Sequence, residues 1–119
     1  MIRIWQGCLA ALLLAVLTAC APSVDAEQGR LCRMLLPALF PEDEGIAVIS
    51  QEGAGNKAVH IGFRAGEASA PERLITCRFG GQGFSAAKRD LVSVQVDGIG
   101  IGEMQLHFLR DRWLESAHA

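Results

Sequence analysis

Glu72-Arg73-Leu74-Ile75-Thr76-Cys77-Arg78-Phe79 sets Ile75, Cys77 and Phe79 on one side of an extended chain and Leu74, Thr76 and Arg78 on the other. Successive side chains of a strand point to opposite faces, so this spacing predicts a strand with one buried face. The segment before it repeats the pattern: Val59, Ile61 and Phe63 alternate with His60, Gly62 and Arg64. Ile46 to Gln51 is β-branched enough for an earlier strand, and Gly53-Ala54-Gly55-Asn56 reads as the hairpin turn between them. Gly66 to Pro71 is a loop, and Gly80-Gly81-Gln82-Gly83 opens an irregular one running to Asp90. Leu91 to Val96 forms a further strand with Val92, Val94 and Val96 on one face, closed by an Asp97-Gly98 turn.

Helices flank these strands. Asp25 is placed to cap the first, with Gln28 three residues later to complete a capping-box pairing. Leu31, Met34, Leu35, Ala38 and Leu39 then form an apolar stripe at helical spacing, with Cys32 at its edge. Pro37 is expected to kink or end this helix, and Pro41 marks the exit. The last segment carries two patterns. Met104, Leu106 and Phe108 alternate like a strand, whereas Leu106, Leu109, Arg110, Trp113 and Leu114 fit a helix. Length and the helix formers from Glu103 to Glu115 favour the helix. The expected fold is α+β: a small antiparallel sheet of about four strands, with an N-terminal and a C-terminal helix packed on one face.

Arg3 and an apolar stretch from Leu9 to Leu17 precede Leu17-Thr18-Ala19-Cys20. This run is too short for a permanent bilayer span, which takes about 20 apolar residues. The first 20 residues resemble a bacterial lipobox, the recognition site of signal peptidase II. The resemblance implies a signal peptide over residues 1–19 and a diacylglycerol on the sulfur of Cys20. The Cys20 amine is then acylated, for example with palmitate. Two or three chains, at about 0.8 kcal/mol per buried methylene, hold a protein firmly to a membrane. Ala21 after the cysteine resembles the outer-membrane sorting class. The competing reading is an ordinary cleaved signal peptide releasing a soluble periplasmic or secreted protein.

Cleavage before Cys20 leaves 100 of the 119 residues, a single-domain length. Residues 20–25 are expected to be a tether, 26–115 one α+β domain, and 116–119 a disordered tail. The chain carries 11 basic and 13 acidic side chains, with Glu42-Asp43-Glu44 as the densest cluster, so no electrostatic footprint for nucleic acid or for anionic lipid headgroups is present. Of the four cysteines, Cys8 leaves with the signal peptide and Cys20 takes the lipid. Cys32 and Cys77 remain, in a compartment that favours pairing. A bridge between them would join the first helix to the strand face of Ile75 and Phe79. Two free thiols or half of a metal site are the alternatives, although no CxxC or CxxH spacing supports metal.

Catalytic patterns are weak. Gly98, Gly100 and Gly102 follow a strand and precede a helix, yet Glu103 stands where a dinucleotide fingerprint needs glycine. The Gly80–Gly83 stretch lacks the G-K-[ST] ending of a P-loop, and its basic end, Lys88-Arg89, is left for a phosphate or a partner. His60, His107 and His118 have no neighbouring ligand pattern, and Ser85 and Ser93 no nucleophile elbow. No enzyme, cofactor or metal is therefore expected. Arg64, Arg73 and Arg78, with His60, suggest a partner surface on the solvent face of the sheet. The alternative is a mixed charged face balanced by Glu67 and Glu72. Trp113 reads either as a protruding anchor for a partner or as the closure of the core. The leading expectation is a non-catalytic, disulfide-stapled periplasmic lipoprotein that docks on another cell-envelope protein. The alternative is a small-molecule or lipid-binding module with Phe63, Phe79, Phe84 and Phe108 around a cavity.

Overall fold

The computed structural model describes residues 24–42, 45–55 and 57–116. The lipobox with Cys20, Asp43 and Glu44 of the acidic cluster, Asn56 of the expected turn, and His118 lie outside the described residues.

Helix α1 (Ala26–Leu39) is followed by β1 (Ile46–Gly53), β2 (Ala58–Ala65), β3 (Arg73–Phe79), β4 (Leu91–Val96) and the two-residue β5 (Ile99–Gly100). The strands form one antiparallel meander in sequence order, five strands rather than four. Asp97 and Gly98 have φ of 53° and 82°, the paired positive values of a two-residue hairpin turn, and they send the chain back as β5. The C-terminal segment is helical and short: α2 (Glu103–Phe108), a π-helical turn (Leu109–Trp113), then α3 (Leu114–Ser116). The described helices pack on one face of the sheet, as the alternation in β2 and β3 requires.

Leu31, Leu35 and Leu36 of α1, Val59, Ile61 and Phe63 of β2, and Ile75, Cys77 and Phe79 of β3 are all fully buried. Leu91 and Val94 of β4 and Leu109 and Leu114 of the C-terminal segment complete this core. On a regular α-helix, Leu109 and Leu114 would sit about 140° apart around the axis. The Leu114 N–H instead bonds back to the Leu109 carbonyl, a wider i→i+5 turn that brings both leucines to the core. Gly29 of α1 faces β1 where the terminal amide of Gln51 occupies the space beside it.

Several expectations change. Cys32 lies at the centre of the buried stripe rather than its edge, since Leu36 is buried while Met34, Ala38 and Leu39 are only half-buried. Pro37 lies inside α1, which carries on to Leu39. Val92 does not share a face with Val94. Arg78 pairs with Ser93 and Phe79 with Leu91, so Val92 bulges out of register and is 49% exposed. Val24 packs on the core and Asp25 caps α1, so the fold begins two residues before the expected domain start at residue 26. Ser116, expected in a disordered tail, ends α3, and its hydroxyl donates to the Trp113 carbonyl at 2.9 Å.

Candidate interaction surfaces

The disulfide predicted from the sequence is present. Cys32 of α1 and Cys77 of β3 are bonded with their Cα atoms 5.9 Å apart, and both are fully buried. It pins helix to sheet at the middle of the core.

Around the start of α1, Asp25 accepts from the backbone N–H groups of Glu27 at 3.0 Å and Gln28 at 3.1 Å. The Gln28 N–H, and beside it the Lys88 charge, hold the Asp25 carboxyl below the usual carboxylate range, with burial opposing them. The Gln28 side chain does not return to the cap as a capping box would. It is buried, and its Nε2 donates to the carbonyl oxygens of Gly81 at 2.8 Å and Lys88 at 2.9 Å. Those bonds fasten the Gly80–Asp90 loop to α1. A 3₁₀ turn within the loop (Ala86–Arg89) is capped by Ser85, whose Oγ accepts from Ala87 N–H. Lys88 lies 3.5 Å from both Asp25 and Glu27, and Arg89 2.6 Å from Glu27. The basic end of the loop is thus paired with the acidic start of α1.

The expected arginine surface divides. Arg64 and Arg78 are exposed on the outer face of the sheet, on which no described helix packs. Arg78 stands opposite Ala58, and Arg64 is six residues further along β2, about 20 Å away at strand rise. Between them, His60 Nδ1 and Thr76 Oγ1 share a 2.7 Å hydrogen bond across the β2–β3 pair. The carboxylate of Glu72 lies over Gly62, and Leu74 beside it is 40% exposed. The three groups therefore line the face and do not cluster.

Arg73 is on the other face. It shares the parity of Ile75 and Cys77, and its guanidinium lies 4.8 Å from the Phe40 ring centroid and 6.0 Å from that of Phe63. Its Nε donates to Asp97 Oδ2 at 2.9 Å, while the Leu74 N–H donates to Asp97 Oδ1 at 3.0 Å. The Leu74 bond first, then Arg73, hold the Asp97 carboxyl below its usual range. Arg73 is a clasp on the β4–β5 turn. Trp113 is half-buried against the core with its Nε1 on the Met34 carbonyl, which matches the core-closing reading over the protruding anchor.

Phe63 and Phe79 are buried in the core, Phe108 is half-exposed and Phe84 stands free at a loop tip, so the four do not surround one cavity. His107 pairs with Asp111 along its own helix, at 2.6 Å. Among the described residues, no group of three His, Cys, Asp or Glu is arranged to hold a metal, and no helix is long and apolar enough to cross a membrane. Sequence reasoning missed the α1 end of the fold. There Val24, Asp25, Gly55, Lys57, Gln82 and Gly83 line a cleft of about 360 Å³, and Phe84 follows Gly83 in a neighbouring depression lined by Glu27, Lys88 and Arg89. Compared with known protein families, curated proteins and solved structures, the chain matches none of them.

Proposed function

We propose that this protein is a non-catalytic, lipid-anchored protein of the bacterial cell envelope that docks on another envelope protein through the open face of its sheet. The observation that carries the docking reading is that open face. The described helices cover the five strands on one side only, and the other side presents Arg64, the His60–Thr76 pair, Leu74 and Arg78 along β2 and β3. A planar guanidinium matches the carboxylates of a partner in two-pronged geometry. The lipobox-like Leu17-Thr18-Ala19-Cys20 supports the anchor, and a buried disulfide suits an oxidising compartment outside the cytoplasm.

Two substitutions test the two halves. Cys20→Ala is expected to block both lipid addition and the cleavage before residue 20, leaving an unacylated precursor of higher mass; unchanged processing and fractionation would sink the anchor. Arg64→Glu with Arg78→Glu is expected to abolish crosslinking to the envelope partner while leaving thermal unfolding in place, because both side chains are exposed. An undiminished crosslink, or none in the wild type, would remove the docking surface.

A further inference from the structure

The geometry points to a second membrane contact: the Gln82–Ser85 loop, with Phe84 at its tip, is a foot that inserts into the lipid surface holding the Cys20 anchor. This rests on the lipid-anchored part of the proposed function. Phe84 is wholly exposed, at 109% of its reference area, more than any other large apolar side chain described. It takes no part in the core of the described residues, whereas Phe63 and Phe79 fill that core.

Its place in the molecule supplies the occupant. Gly83 lines one cleft with Val24 and Asp25, the first residues of the folded domain. Only three residues separate Val24 from Cys20, so the two Cα atoms lie within about 14 Å of each other even when that chain is fully extended. An acyl group on Cys20 therefore brings this end of the domain, and Phe84 with it, down to the bilayer.

The loop is also held in position. Gly80 N–H bonds to the Asp90 carbonyl at 2.8 Å, Ser85 N–H to the Gln82 carbonyl at 3.1 Å, and Gln28 grips Gly81 and Lys88 from α1. Phe84 thus projects from a braced turn. Charge does not oppose the contact: Asp25 and Glu27 are matched by Lys88 and Arg89. Lys57, exposed at the β1–β2 tip on the same cleft, makes no ion pair among the described residues and faces anionic headgroups.

The test places a tryptophan at the foot. Full-length chain carrying Phe84→Trp is extracted from membranes and reconstituted into phosphatidylethanolamine–phosphatidylglycerol vesicles with brominated acyl chains. Ile99→Trp, on the β5 hairpin away from this loop, is the reference, and wild type supplies the Trp113 background. Intact mass of the same preparations reads acylation at Cys20. The expected result is acylated protein in which bromolipid quenches the added emission of Phe84→Trp about twofold and leaves that of Ile99→Trp unchanged. Acylated protein with Phe84→Trp unquenched, or with both sites quenched alike, overturns the foot and leaves the anchor standing. Unacylated protein overturns both. Blue-shifted Phe84→Trp emission in native membranes without quenching in vesicles assigns Phe84 to a protein contact and also overturns the lipid foot.

Discussion

The indole Nε1–H of Trp113 donates to the backbone carbonyl oxygen of Met34 at 2.8 Å, tying the C-terminal helical segment to α1 across 79 residues of sequence. Trp113→Phe keeps most of the ring in place and removes this bond, so a loss of about 1 kcal/mol of unfolding free energy is expected. Trp113→Ala also empties the space the ring fills, and a loss of about 3–5 kcal/mol follows. Denaturant titration of the two variants separates the contributions. Equal stability of Trp113→Phe and wild type would mean that the bond has no net effect.

Gln28 is the one polar side chain fully buried among the described residues, and both of its Nε2 protons are used. Gln28→Leu has similar volume but leaves the Gly81 and Lys88 carbonyls without their donor. Leaving such groups unpaired costs about 1–3 kcal/mol. Faster amide exchange is expected across Gly80–Asp90, with little change in β2 and β3. A uniform increase over the whole fold would show that Gln28 supports the core in general and not this loop.

The main lines of this fold are written in period-2 and helical spacing. Val59, Ile61 and Phe63, then Ile75, Cys77 and Phe79, define the buried face, and the Cys32–Cys77 bond follows once α1 lies on it. The same alternation also marks Arg73 as inward-facing, since it shares the parity of Ile75; its charge suggested solvent, but the Phe40 ring and Asp97 accommodate it. Gln28 stands one turn before Leu31 and Cys32 on the apolar stripe, a position that signals burial despite its amide. Bulges are different. Register shifts at Ile49 and Val92 each displace one residue out of the alternation, and nothing local in a run such as Leu91-Val92-Ser93-Val94 says which residue is ejected. The placement of the Gln82–Gly83 turn against Val24 was equally illegible, because it depends on where the Gln28 amide fastens a loop more than 50 residues away.

Asp25 and Asp97 give the protein an acid-sensitive element. Both carboxyls are held below their unfolded value of about 3.9, so their contributions are fully present above that pH and are lost as pH falls through the folded values. Unfolding free energy is expected to decline below about pH 4 for this reason. Asp25→Asn retains a good helix cap without a titrating group, and Asp97→Asn removes the charge facing Arg73. Both variants are expected to show a shallower acid limb in denaturant titrations. An acid limb identical to wild type would exclude these two residues as its source.

The Cys32–Cys77 bond closes a separation of 45 residues, and its effect is best read without changing the sequence. In the chain-entropy treatment, a loop of this length restricts the unfolded chain enough to stabilise the fold by about 4 kcal/mol. Small domains have about 5–15 kcal/mol in total, so reduction should take away a large part of the margin. The sulfurs are buried between α1 and β3, so reductant alone acts slowly and must be combined with a cycle of unfolding and refolding. Oxidised and reduced protein are then compared in the same denaturant series. The expected outcome is a much lower midpoint for the reduced form, with the core otherwise intact because free thiols pack as small apolar groups. Coincident midpoints would show that the unfolded chain already holds α1 near β3, leaving the bond little entropy to remove.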